Sequence, residues 1–413
     1  MLKTDRVKLT LGQISLIFYT VVYIIISILP ILKYSVPYAV AGSFSLFYAL
    51  FVFIKYEKYR LTIIFLVFLG VITGLLLFLN GTQTVTGLIN EPIRVLRCII
   101  PCFILADLIK TNKNFKIFLW IFMTALILYI AINTLVEVVE NNMVARLLAN
   151  GDTTEELTQY RMKNIAGFEF SYAIGLSFPV WVILFSKSKN LFLKILSLVL
   201  AAFVAYYVVA AQYMILFLLC VISLLVIILT GSSKFYVKLI NVLIILILLL
   251  FASTIFRWAA TLNVGEMMQR RFTGLADLFE GKIDIEDTTS RIGLYKNALN
   301  SFLGNPIIGV YNSPDAFESH SWLLGFAVSA GIIGVACFIA ELVIYSKLHK
   351  RVFIDNRLSM RVRIITYTLF VVLTVLNPIQ YAYEIFIVLF LYIPLTLHLF
   401  YKRDDVKFKG EVL

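Results

Sequence analysis

The stretches TIIFLVFLGVITGLLLFL at residues 62–79 and LINVLIILILLLFASTIF at residues 239–256 decide the fold class of this chain. Neither stretch contains a charged side chain. An α-helix rises about 1.5 Å per residue, so runs of this length reach across most of a hydrocarbon core of about 30 Å. Both stretches are therefore typical of membrane-spanning helices.

The rest of the chain has the same character, because 61% of its 413 residues are hydrophobic and only 15% are charged. Soluble domains contain about 45–50% apolar residues. Apolar segments lie near residues 13–32, 36–54, 61–79, 93–109, 115–136, 165–186, 191–210, 212–230, 239–259, 321–346, 362–378 and 383–400. The sequence predicts an all-α integral membrane protein with about twelve transmembrane helices in a single polytopic domain, residues 1–413.

The net charge of +12 raises the question of nucleic acid binding, which the positions of the basic residues argue against. Most of the Lys and Arg residues fall in alternate short connections, as the positive-inside rule describes for membrane proteins. This pattern predicts that both termini are cytoplasmic and that no nucleic acid partner is involved. All four cysteines lie in predicted spans without the spacing of a metal site, so packing is the favoured interpretation.

Two predicted outer connections are longer than the topology requires, at residues 137–164 and 260–320. Long loops with structure of their own often carry function. In the larger loop, Thr289 or Ser290 can cap a helix that ends near Gly304 and Pro306. Its apolar residues recur at helical spacing and predict a short amphipathic helix in the outer interface, or alternatively a structural lid: Ile292, Tyr295, Leu299, Phe302 and Leu303.

Three arginines lie at positions where a positive charge is unfavourable unless it has a partner or a ligand: Arg94, Arg97 and Arg291. Arg291 falls in the first turn of the predicted loop helix, where the helix dipole favours an anion such as phosphate. The alternative is an exposed side chain or a pair with Asp287. Arg94 and Arg97 lie at the outer end of the fourth span, where they could bind an anionic lipid headgroup, or snorkel outward with Glu91 as partner of Arg94.

His320 is the only histidine that the predicted topology places outside. Imidazole accepts a proton near neutral pH, so His320 is a candidate catalytic base, although a histidine near a helix start can also be a capping residue. The acidic run of Asp284, Glu286 and Asp287 is interpreted as a solvated loop face, not as a metal site.

Four motifs follow one another in and after the large loop: SRIGLYKNAL at 290–299, GNPIIGV at 304–310, SHS at 319–321 and AGIIG at 330–334. They resemble the C-terminal signature of the O-antigen ligase and polymerase superfamily. The resemblance implies a GT-C-like membrane glycosyltransferase in the bacterial cytoplasmic membrane, with its active site on the outer face. Its donor would be an undecaprenyl-pyrophosphate-linked oligosaccharide, with membrane lipid and a chain-length regulator as further candidate partners and no cofactor or metal.

Carried over to this sequence, the resemblance implies that His320 takes or orients the acceptor hydroxyl and that Arg291 holds the diphosphate. Arg161, in the segment YRMKN at 160–164, resembles the basic position of the family's other functional loop. Arg94 and Arg97 join as candidates for stabilising the leaving pyrophosphate or locating the lipid carrier, from charge placement alone.

The favoured interpretation is a polysaccharide polymerase that joins lipid-linked repeat units. A ligase would use the same donor but transfer the glycan to a lipid A core. A flippase for lipid-linked sugars is the alternative from a different class, and its usual short loops and related halves differ from this sequence. A membrane scaffold without catalytic activity would tolerate single substitutions in the outer loops.

Overall fold

The computed structural model describes residues 11–141, 144–147, 155–230, 235–262, 266–282, 286–314, 321–352, 357–376 and 382–400. These residues are 87% helical, and no β-strand occurs among them. The predicted all-α fold class is therefore confirmed for the part of the chain that the structure describes.

The helices are numbered α1 to α18 in chain order. They are α1 Leu11–Ile28, α2 Pro30–Ser35, α3 Tyr38–Lys55, α4 Glu57–Leu79, α5 Gly87–Ile109, α6 Lys113–Glu140, α7 Val144–Leu147, α8 Glu155–Met162, α9 Phe168–Lys187, α10 Leu191–Ala210, α11 Met214–Thr230, α12 Phe235–Leu250, α13 Ala252–Ala260, α14 Glu266–Phe279, α15 Glu286–Gly304, α16 Trp322–Val352, α17 Arg357–Leu376 and α18 Tyr383–Phe400. Residues Val388–Tyr392 of α18 form a π-helical turn.

Six helices in the described ranges are long and apolar enough to cross a membrane, namely α4, α6, α9, α10, α16 and α18. A seventh span results if α12 and α13, bent by 56° from each other, count together. The apolar parts of α1, α3 and α11 are shorter than this measure requires. The protein is thus a multi-pass helical membrane protein by length and composition, and the total of twelve spans stays a prediction.

The centre of the bundle is formed by α5, α9 and α18. In α9 and in α18, 78% of the most apolar 18-residue stretch is buried, compared with 33% in α10. Helices α9 and α18 therefore lie in the interior of the bundle. In α5 every residue from Val95 to Leu108 is buried. This burial includes the charged residues Arg97 and Asp107, and a helix can be covered on all sides only when other helices surround it.

Helix α16 is broken at Gly331, within the predicted span at residues 321–346. Gly331 has φ 63° and ψ −168°, a conformation that is essentially restricted to glycine. The segment before the span replaces lost helical bonds, since the Ile332 N–H donates to the Pro306 carbonyl (2.8 Å) and the Val310 N–H donates to the Val328 carbonyl (2.8 Å). The motifs at 304–310 and 330–334 therefore pack against each other through their backbones.

Asn80, at the end of α4, fixes this junction from the other side. Its Nδ2 donates to the carbonyls of Ile308 (2.5 Å) and Ser329 (2.8 Å), and its own carbonyl accepts from the Asn312 N–H (2.7 Å). Buried backbone carbonyls require such partners in an apolar environment. One amide side chain thus joins the large loop to α4 and α16.

Two predictions for the second half of the chain need correction. The span predicted at 239–259 bends at Phe251, and Arg257 of α13 pairs with Asp277 and Glu280 beside α14, so this end of the predicted span belongs to a polar hairpin. The loop helix begins at Glu286, before its predicted cap at 289–290. Arg291 consequently lies more than one turn after the helix start, where the electrostatic effect of the helix dipole is weak.

Candidate functional site

Lys33 of α2 forms ion pairs with two carboxylates from distant parts of the chain. Its ammonium contacts Glu169 of α9, and its Nζ lies 2.6 Å from Oε1 of Glu384 of α18. Burial alone would lower the pKa of Lys33, but the two carboxylates outweigh it and raise the pKa above its ordinary value. Lys33 is therefore charged at neutral pH and joins three helices at what we call the α2 end of the bundle.

The local sequence explains why these three charges meet. Pro30 occupies the first position of α2, where its missing N–H and fixed φ favour a helix start, and Lys33 follows in the last turn. Glu169 and Glu384 each lie in the first turn of their helix. A helix dipole stabilises an anion at the N-terminus and a cation at the C-terminus, so all three positions suit their charges.

Arg161 reaches the same place from α8. Its guanidinium carbon lies 4.2 Å from the centre of the Tyr34 ring. Asn164 lies just after α8 and has a left-handed φ of 60°. Its side-chain Oδ1 accepts a hydrogen bond from the Ile31 N–H (3.2 Å). Because Ile31 is in the first turn of α2, this bond caps α2 and fixes α8 against it.

Arg97 approaches from the buried helix α5. Only 4% of the residue is exposed, and its guanidinium carbon lies 3.6 Å from the centre of the Tyr383 ring. The Tyr23 hydroxyl donates to the backbone carbonyl of Arg97 (2.8 Å), which fixes this turn of α5 against α1. Stacking on an aromatic ring holds the planar guanidinium in place.

Two adjoining cavities at the α2 end share Lys33 and Tyr34. The first, of about 170 Å³, is lined by Ile28, Pro30, Lys33, Tyr34, Arg161, Ala166, Gly167, Phe168, Glu169, Phe170 and Glu384. The second, of about 370 Å³, is lined by Ile26, Lys33, Tyr34, Ser35, Val36, Pro37, Ala41, Arg97 and Tyr383. We call them the carboxylate cavity and the Arg97 cavity.

Arg94 has different neighbours from Arg97. It forms an ion pair with Glu91, whose Oε1 accepts from Gln83 Nε2 (2.9 Å). The side chains of Arg94 and Glu91 are 16% and 4% exposed, and neither residue lines the two cavities. The structure thus shows the pairing with Glu91 that the sequence offered as the alternative for Arg94.

The structure brings together Arg97 and Arg161 among the five predicted site residues. His320 lies outside the described residues, and only the backbone of Arg291, in α15, is described. The described residues contain no group of three or more His, Cys, Asp or Glu side chains that could hold a metal ion.

Sequence reasoning missed Lys33, Glu169 and Glu384, although each carried a signal. Glu169 and Glu384 fall inside the predicted spans at 165–186 and 383–400, and carboxylates are costly there unless they are paired or functional. Lys33 falls in a predicted outer connection, contrary to the positive-inside pattern. The pairing itself could not be predicted, because it joins residues from opposite ends of the chain.

We expect Lys33→Met to lower the free energy of unfolding by about 2–3 kcal/mol. The change leaves Glu384 buried without its cation, and the partial exposure of Lys33 and Glu169 keeps the loss below that of a fully enclosed pair. Thermal unfolding in detergent measures the effect.

Adding Glu384→Gln to Lys33→Met should restore part of the stability, whereas equal loss in the single and double variants would contradict this account. Lys189→Met, at an exposed lysine, is the matched control and should change stability by less than about 0.5 kcal/mol.

Comparisons with protein family models, with curated proteins and with solved structures found no match. Arg97 and Arg161 provide guanidinium groups, and Lys33 an ammonium group, for phosphate or pyrophosphate oxygens. Glu169 and Glu384 provide carboxylates that can accept a hydrogen bond or a proton.

Proposed function

We propose that the protein is a membrane glycosyltransferase that polymerises lipid-linked oligosaccharide repeat units, with a polyprenyl-pyrophosphate-linked glycan as donor. The observation that carries the proposal is the convergence of Arg97, Arg161 and Lys33, from three separate helices, on adjoining cavities at one end of the bundle. Fixed guanidinium groups stabilise the charge that develops on a departing pyrophosphate without having to reorganise.

The walls of the Arg97 cavity suit the lipid part of such a donor. Its residues Ile26, Val36 and Ala41 are apolar and belong to α1, the α2–α3 connection and α3. The outer surface of α3 is also apolar, with Val40 and Phe47 exposed. A diphosphate at Arg97 could therefore keep its polyprenyl chain in the bilayer beside α3.

The proposal includes a topology of twelve spans in a GT-C-like arrangement, in the bacterial cytoplasmic membrane with both termini cytoplasmic. The shorter helices α1, α3, α11 and α12 and the more polar helices α5 and α17 would then cross in addition to the six long ones. This topology puts the α2 end on the outer face. His320 would orient the acceptor hydroxyl and Arg291 would hold the diphosphate, as the resemblance implies.

Cysteine labelling of intact cells should establish the side of the membrane. The native cysteines Cys98, Cys102, Cys220 and Cys337 are buried, so their background labelling should be low. We expect a membrane-impermeant maleimide to label Thr84→Cys, in the exposed turn between α4 and α5, without permeabilisation. Lys189→Cys, in the turn between α9 and α10 at the opposite end, should react only after permeabilisation. The reverse pattern would overturn the outward orientation of the site.

Reconstitution tests the reaction itself. Purified protein in liposomes is supplied with lipid-linked repeat units and no nucleotide, and the products are separated by length on a gel. Glycans longer than one unit would support the polymerase. Transfer only to an added lipid A core acceptor would indicate a ligase. Movement of the donor across the bilayer without a new glycosidic bond would indicate a flippase and would overturn the proposal.

A further inference from the structure

Glu384 has one carboxylate oxygen that the ion pair does not use. Oε1 contacts Lys33, whereas Oε2 is buried and accepts no hydrogen bond from the described residues. The side chain is only 4% exposed and lines the carboxylate cavity. A buried carboxylate oxygen without a donor is costly, so its presence at a cavity wall points to a ligand that donates a hydrogen bond.

Arg161 presents the complementary group in the same cavity. Its Nε is buried and donates no hydrogen bond to the part of the chain that the structure describes. One wall of the carboxylate cavity therefore requires a donor and another requires an acceptor. A hydroxyl group supplies both, because it has one O–H and two lone pairs.

The remaining lining favours a sugar as the carrier of that hydroxyl. Tyr34, Phe168 and Phe170 place aromatic side chains around the cavity. Aromatic rings combine a large apolar face with a rigid shape, and sugar rings present apolar C–H faces next to their hydroxyls. The combination of aromatic, carboxylate and guanidinium groups is suited to a carbohydrate and not to a second lipid chain.

We propose that the carboxylate cavity binds the acceptor sugar and that Glu384 is the catalytic base for its hydroxyl. This inference rests on the proposed glycosyltransferase function, and it assigns the acceptor to one cavity and the donor diphosphate to the Arg97 cavity. Lys33 and Tyr34, which line both cavities, then lie between the two substrates.

The proton and electron balance of the step is simple. The acceptor oxygen forms a bond to the anomeric carbon of the donor sugar while its proton passes to Oε2 of Glu384. The bond between the anomeric carbon and the phosphate oxygen breaks, and its electron pair leaves with the polyprenyl pyrophosphate. Glu384 returns its proton to solvent before the next cycle, and no oxidant, reductant or additional reactant is needed.

Glu169 provides the matched comparison, because it also pairs with Lys33 but is 28% exposed at its side chain. We expect Glu384→Gln to lower the turnover rate in liposomes by about 10²-fold, near the lower end of what a general base contributes. Glu169→Gln should lower it by less than about 10-fold. The KM for the lipid-linked donor should stay within about 2-fold of the wild type in both variants, because the donor lies in the other cavity.

Chemical rescue separates a base from a residue that only positions Lys33. In Glu384→Ala, added formate can enter the vacated space and accept the proton, so it should restore at least about 10-fold of the lost rate. Formate should not change Glu169→Ala. Equal losses in the two Gln variants, or no rescue of Glu384→Ala, would overturn the assignment. A wild-type protein that forms no glycosidic bond would instead refute the proposed function, which makes the two failures distinguishable.

Discussion

Replacing Arg161 by alanine is expected to lower glycan polymerisation by about 10²-fold, because the change removes the fixed guanidinium that would position the acceptor hydroxyl in the carboxylate cavity. Arg161 is stacked on Tyr34 and lines a cavity with Lys33, so its guanidinium is held in place before substrate binds. Arg161→Lys should recover only part of the rate, because an ammonium keeps the charge but not the planar fork.

The measurement is polymer length on cells that lack the native gene and carry either the wild type or a variant, with membrane protein levels checked by blot. Arg60→Ala is the control, because Arg60 lies near the start of α4, at the opposite end of the bundle, and donates to the Phe53 carbonyl (3.0 Å). Normal chain length in Arg161→Ala at normal abundance would exclude Arg161 from the reaction.

Gly331→Ala is expected to have the largest effect on folding. The backbone there has φ 63°, and an added Cβ would lie 2.6 Å from the nitrogen of Ile308 and closer still to the carbonyl of Ile307. Conformational strain of about 1–3 kcal/mol adds to overpacking of about 1–3 kcal/mol. A loss on the order of 4 kcal/mol is a large fraction of the stability of an ordinary protein, so little folded protein should accumulate.

Size-exclusion chromatography and thermal unfolding in detergent measure this loss. Gly274→Ala is the matched control, because Gly274 lies inside α14 and an added Cβ would have nothing within 4 Å. Alanine favours a helix over glycine by about 1 kcal/mol, so the control should be neutral or slightly stabilised. A Gly331→Ala protein as stable as the control would mean that the junction with residues 306–310 does not support the fold.

The sequence predicted the helices well and their interruptions poorly. The uncharged run at 62–79 lies within α4, because apolar length alone identifies such a helix. The breaks at Phe251 and Gly331 were missed, because both fall in apolar segments where glycine and bends are tolerated. At Gly331 the cause is a contact with residues 306–310, and tertiary contacts of this kind leave no periodic signal.

The candidate site shows the same division. Arg97 and Arg161 could be selected from the sequence, because a cation beside an apolar segment needs a partner or a role. Their convergence on Lys33 and Tyr34 could not, because α2, α5 and α8 come from separate regions of the chain. The macrodipole argument for Arg291 was wrong in its premise, because it depended on a helix start that lies several residues earlier.

The ion pairs of Lys33 can form only in a fixed order during biosynthesis, because the two carboxylates are synthesised long after the lysine. Glu169 follows Lys33 by 136 residues and Glu384 follows it by 351 residues. At about 5–20 residues per second, the ribosome delivers the second carboxylate roughly 20–70 s after Lys33. Between the synthesis of Glu169 and that of Glu384, Glu169 is the only one of the two carboxylates that Lys33 can contact, so the arrival of α18 closes the three-helix junction and completes the cavity wall.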